Sequence, residues 1–253
     1  MSPNPRKSFV KFHAGGHAFS GNFERPVPYQ VPAQAGVFLS TVGGHGHARV
    51  DEFVVPRLVK FKSAHAHVSG SYQDETTATS HSSVTIEGLN ILDVITADRI
   101  TGRLTSEHQL GEEEGHVLAI GSVYENLRIG GYQFEIKLKH EILLKNKTHK
   151  ELVNSFASGK KSGKIASSDE KVMLCPLVEE IITDFPGMSD DEKKKHVVTI
   201  PHFGTIAFAE LLCQPGTKTL TMMRFELGSP DGGSGTVVEA YMNGPQYPPP
   251  KGG

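Results

Sequence analysis

Tryptophan is absent from the chain, and cysteine nearly so, with two thiols in 253 residues. Two cysteines cannot staple a small secreted scaffold, so the fold must rest on its own apolar core. Cys175 and Cys213 sit among apolar neighbours (Met173-Leu174 and Leu211-Leu212). That is the setting of buried, reduced thiols rather than of a catalytic thiolate, which needs basic surroundings. No run of about 18 apolar residues occurs, which leaves no candidate transmembrane helix. Net charge is lacking too: 26 basic side chains against 28 acidic ones leave −2. With 37% hydrophobic residues, the chain is too apolar and too nearly neutral for an intrinsically disordered protein. It also lacks the overall basic excess of a nucleic-acid binder. Arg6 and Lys7 are not followed by the apolar core of a secretory leader. The expected location is therefore cytoplasmic, with neither membrane nor nucleic acid as a partner.

Glycine and proline are plentiful, at 27 and 15 residues. They break the chain into apolar stretches of about 5–10 residues, many of which alternate apolar with polar, the period of half-buried strands. The expected fold class is mainly β, an antiparallel β-sandwich or barrel with one to three short helices inserted around 145–200. A single β-rich domain over 1–253 is the primary reading, with a split near 145–170 as the alternative. Three stretches read as loops: an extended Pro-rich segment at 23–36, a mobile Ser/Gly/Lys-rich loop at 158–171, and a disordered Pro/Gly tail at 244–253.

Local signals are clearest in two hairpins. Leu127–Ile129 and Tyr132–Leu138 flank Gly130-Gly131, a pair that supplies the positive φ of a tight turn. Thr219–Leu227 and Thr236–Met242 flank a loop rich in Gly, Ser, Pro and Asp. Thr148 with Glu151, and Ser189 with Glu192, have capping-box spacing and each predicts the start of a short helix. Leu177–Ile182 fits either helix or strand.

Histidine is the compositional outlier, with 13 residues. His45-Gly46-His47 is followed by Asp51 and Glu52, and His65-Ala66-His67 lies in an alternating run from Val59 to Ser71. On a strand, residues two apart project to one side, so each pair offers two imidazoles to one ion or ligand. His45, His47, Glu52, His65 and His67 are the candidate metal ligands. A single transition ion (Zn, Fe, Mn, Ni or Cu) is the cofactor they would suit, because such N/O donors do not choose among these metals. The His45-Gly46-His47 spacing with Glu52 is similar to the first motif of cupin barrels, but Leu39 departs from that pattern and no third histidine follows at the expected distance. The simpler alternative is that these imidazoles are solvated or hydrogen-bonded strand residues, and a pH-switch role is a third. Phe61, Ser63 and Ser69 share the side of His65 and His67. Lys60, Lys62, Ala64, Ala66 and Val68 lie opposite, and neither set is a clean apolar stripe. His81, His108 and His116 fall near strand ends or loops, where only the fold could bring them to a site.

Other motifs carry less. Glu112-Glu113-Glu114 reads as a solvated loop tip between two strands. Gly159 and Gly163 are wrongly spaced for a phosphate loop, and Ile165 stands where its hydroxyl should be. Gly228-Ser229-Pro230-Asp231-Gly232 is a turn and not a nucleophile elbow. Asp51-Glu52 and Glu179-Glu180 are adjacent in sequence and diverge, so neither makes an acid–base pair. Two function classes follow. One is a β-rich binding or structural protein that takes a small-molecule ligand or self-associates into a homo-oligomer through its strand edges. The other is a metal-dependent enzyme or metal-binding protein using the His-x-His pairs, with an ion-activated water.

Overall fold

The structure, a computed structural model, describes residues 11–25, 27–109, 111–112, 114–157, 164–165, 172–186 and 188–242. The tail expected at 244–253 lies outside the described residues, as does all of 158–171 except 164–165.

Strands that are apolar on one side bury it by stacking sheet on sheet. Here they form two nine-stranded antiparallel sheets. The first runs in the order β12 (Lys164–Ile165), β13 (Met173–Pro176), β16 (Gly204–Gln214), β17 (Thr217–Leu227), β18 (Gly232–Met242), β1 (Ala14–Arg25) and β2 (Tyr29–Gln34). In this sheet β15 (Val197–Ile200) pairs with β16, and β3 (Val37–Phe38) pairs with β1. The second runs β14 (Val178–Thr183), β11 (Tyr132–Leu138), β10 (Arg128–Ile129), β7 (Ile95–Gln109), β6 (Thr77–Ile91), β5 (Val59–Tyr72) and β4 (Gly44–Val55). Beside β7 lie β8 (His116–Leu118) and β9 (Val123–Glu125). Each sheet has two ends, so the fold is sandwich-like and not a closed barrel.

Among the described residues the helices are α1 (Glu141–Lys145) and α2 (His149–Ala157). The Thr148 capping box forms at the start of α2: Glu151 N–H donates to Thr148 Oγ1 at 3.2 Å, and the Glu151 carboxylate accepts from Thr148 N–H at 3.3 Å. Ser189 and Glu192 make the same reciprocal pair, yet residues 190–194 stay in turns. The Lys193 carbonyl there accepts Ile181 N–H of β14 at 2.7 Å, a sheet-edge bond that helical continuation would forfeit. Gly130 and Gly131 hold φ of 58° and 86°, as the tight hairpin requires.

In both sheets the inside–outside alternation changes phase once, along a line that crosses neighbouring strands. In β5 the buried residues are Ala64, Ala66 and Val68 on one side of Lys62–Ser63, and Phe61 and Val59 on the other. The matching pairs in the neighbouring strands are Asp51–Glu52, Glu87–Gly88 and Asp98–Arg99, where two successive residues turn away from the core. Register is unchanged across the line, with Asp51 opposite Ser63 and Phe53 opposite Phe61. Positive φ at Glu52 (52°) and Gly88 (64°) absorbs the change. The first sheet changes phase in the opposite sense. Ala18–Phe19, Phe208–Ala209, Met222–Met223 and Val237–Val238 are successive residues that are all buried, with positive φ at Ala209 and Val238 (46° and 56°). A strand out of alternation bends. Doubled inward residues in one layer against doubled outward residues in the other let the layers bend together. This phase change corrects the single side read for Phe61 and His65: Phe61 belongs to the core, and His65 and His67 face outward.

The two layers are matched along these lines. A Cβ at Gly102 of β7 would stand 2.8 Å from Val238 Cγ1 and 3.0 Å from Met222 Cγ, so the doubled residues of the first sheet press on bare backbone of the second. The ladder of β16 and β17 skips the Ala209–Met222 pair. The Met222 carbonyl accepts instead the hydroxyl of Tyr124 from β9 of the opposite sheet. The Tyr124 ring stands edge-on to Phe208 at 6.0 Å. Burial pushes the Tyr124 phenol up, so it stays a donor at working pH.

The acidic loop departs from its solvated reading. Glu114 accepts His149 N–H at the start of α2 at 2.8 Å and lies 3.7 Å from Lys218 Nζ, whose side chain is 1% exposed. Cys175 and Cys213 are buried and not joined in a disulfide, and burial raises the Cys213 thiol to about 12, far from a reactive thiolate. Tyr124→Phe removes the inter-sheet bond and leaves the Met222 carbonyl unpaired. It should cost about 1–3 kcal/mol in urea unfolding, whereas Tyr132→Phe, on a residue 38% exposed, should cost nothing measurable.

Candidate functional site

Beyond the phase-change line, β4 to β7 carry their aliphatic residues inward and an unbroken polar set outward. Register builds this outward face in four rows. His45, Ser69, His81 and Thr105 form the first row, and His47, His67, Ser83 and Arg103 the second. Arg49, His65, Thr85 and Thr101 form the third, and Asp51, Ser63, Glu87 and Arg99 the fourth. Both His-x-His pairs thus reach the same face, and the fold adds His81 to them. His47 and His67 are directly opposed across β4 and β5, and the rings of His67 and His81 lie 6.2 Å apart.

The proposed ligand set does not converge as a whole. Glu52 sits on the phase-change line, past the Asp51 row and apart from both His-x-His pairs. Among the described residues, no group of three or more His, Cys, Asp or Glu side chains is gathered closely enough to hold an ion.

The charges on the face divide into paired and unpaired groups. Arg49 Nε donates to both oxygens of Asp51 at 3.0 Å. Arg99 pairs with Glu125 of β9, and Glu87 accepts Ser63 Oγ at 2.8 Å. Arg103 has no carboxylate partner among the described residues. Its side chain runs beneath the β8–β9 connection, where a Cβ at Gly121 would come within 3.2 Å of Arg103 Cδ and Nη1. A cavity of about 290 Å³ opens beside it, lined by His65, Thr85, Glu87, Arg99, Thr101 and Arg103. A second cavity of about 360 Å³ lies over the first row, against His81, Thr79, Thr105 and Glu107. Ser80 and Ser106, opposed on β6 and β7, turn their buried hydroxyls to the inward side of the sheet, away from this cavity.

The outward face of the first sheet is internally compensated. Arg224 donates to both oxygens of Glu210, at 2.9 and 3.1 Å, and pairs with Glu226. Burial opposes ionisation of Glu210, but hydrogen bonds from His196 and Arg224 overcome it and hold the carboxyl at about 2. The cavity of about 420 Å³ on that side contains Arg224 and Glu226, already committed to this network.

His81 was legible only as a histidine near a strand end, and Arg103 drew no notice. Alternation through Arg99, Thr101, Arg103 and Thr105 carries the signal that would have found it. Burial is the first cause that lowers His81, followed by the nearby His67 and Arg103. His17, His140 and His149 are also lowered, each chiefly by burial. A histidine whose folded pKa lies below its unfolded value leaves the unfolded chain binding more protons at mildly acid pH, so stability there rises with pH. The urea midpoint should therefore fall as pH drops from 7.5 to 5, beginning near the ordinary histidine value of 6.5. The Glu210 contribution should persist until about pH 4.5 and be lost below it. A midpoint that is flat or rising toward pH 5 would contradict the burial of these imidazoles.

A family model described as a domain of unknown function (DUF8256) matches residues 10–164. No curated protein and no solved structure matches the chain.

Proposed function

Because the chain belongs to the DUF8256 family, whose matched stretch spans the entire histidine face, we propose that this face is the working surface of a non-catalytic binding protein for oxyanion-bearing polar ligands. One observation carries the reading: Arg103 is the cationic group on the face with no carboxylate partner among the described residues, and it stands among imidazoles and threonine hydroxyls beside an open cavity. Guanidinium and hydroxyl donors suit a phosphate, sulfate or carboxylate group. Serine hydroxyls and imidazoles are cross-strand neighbours on the face, but among the described residues no hydrogen bond joins them there, which favours binding over turnover.

A second reading rests on the direct opposition of His47 and His67. Cross-strand neighbours have Cβ atoms about 5 Å apart, so the two imidazoles suit one transition ion completed by water. Calorimetry separates the two readings. Sulfate should bind at pH 5.5 and at pH 7.5. Arg103→Ala should weaken it about tenfold, the loss expected for one charged hydrogen-bonding partner, while His47→Ala should matter little. Zinc binding abolished by His47→Ala, together with no sulfate heat at either pH, would replace the anion reading with the metal one.

A further inference from the structure

The four sheet ends differ in how they are protected. In the first sheet, β12 has two residues and β2 six, with Pro32 removing one donor. In the second, β14 is covered by the Lys193 carbonyl. The remaining end, β4, is twelve residues long and, among the described residues, pairs only with β5. Its inward side chains are not sealed: Gly46, Ala48, Val50 and Phe53 are half-buried, while Ala64, Ala66 and Val68 beside them on β5 are fully buried. The three most exposed large hydrophobic residues among those described lie at this same flank. They are Val42 at 85%, Phe38 at 76% and Val54 at 61%. A long, uncovered edge with apolar side chains around it is a template for another strand.

The geometry points to a second copy of this chain as the occupant, its β4 pairing antiparallel with β4 about a two-fold axis. The phase change after Asp51 restricts the register, because directly opposed residues must face the same side. Centring on Ala48 keeps all seven rows from His45 to Asp51 in phase. Gly46 then faces Val50, and small Ala48 faces its own copy. His45 faces Asp51, an attractive pair, and His47 faces Arg49. Centring on Arg49 would set guanidinium against guanidinium. Centring on Val50 would put inward Ala48 against outward Glu52. The pairing joins two histidine faces into one continuous surface, and it stands whether or not that surface takes an anion.

Sedimentation velocity of the full chain at tens of micromolar should give a species of twice 27.4 kDa. His45→Lys with Asp51→Lys sets lysine against lysine in both end rows. Both positions are exposed in the single chain, so circular dichroism should be unchanged while the mass falls to that of one chain. Mild oxidation of Ala48→Cys should cross-link two copies, since both native thiols are buried. A wild-type chain that sediments as a monomer would overturn the inference. So would a dimer that survives the double lysine variant with its mass unchanged, or one that Ala48→Cys fails to cross-link.

Discussion

The two layers stay in contact because their departures from alternation are complementary. A strand sandwich of long elements must bend, and bending costs backbone conformations that most side chains resist. Here the cost is carried by Glu52 and Gly88 in one sheet and by Ala209 and Val238 in the other. The gain is that Met222 and Val238 fill the space over Gly102, and that a carbonyl freed from its own ladder is recovered by Tyr124 across the layer. The histidine face depends on this line as well. Without the reversal at Lys62–Ser63, one side of β5 would carry Phe61 and His65 together, and neither side could seal a core.

Much of this was legible in the sequence. The Gly130-Gly131 hairpin, the Thr148 capping box, the buried thiols and the antiparallel class each rest on local chemistry that tertiary contacts did not override. The mixed character of both sides of Val59–Ser71 was visible too, but its cause was not. One residue with positive φ per strand cannot be read from alternation when the residue is glutamate or valine, since these avoid that conformation unless neighbours impose it. Ser189 shows the opposite limit. Its capping box is intact, yet a sheet edge uses the carbonyl that a helix would need.

The site was half legible for a related reason. His-x-His spacing predicts which imidazoles share a side, and it held for both pairs. It cannot tell which strands are neighbours, so the opposition of His47 to His67 and the arrival of His81 and Arg103 required the register. Glu114 was misjudged because its partner, Lys218, lies over a hundred positions away in a strand whose pattern gives no hint of a buried ammonium.

The pairing of β1 with β18 has a consequence for synthesis. Ala14 and Met242 are neighbours in the first sheet, so β1 must wait for β18 to leave the ribosome. The meander from β4 to β7 has no such constraint, because each strand pairs with the next. During translation, the β4–β7 meander therefore stands with its aliphatic side incompletely covered until β18 follows. Nascent chains stalled before β18 should need chaperone protection that released chains do not.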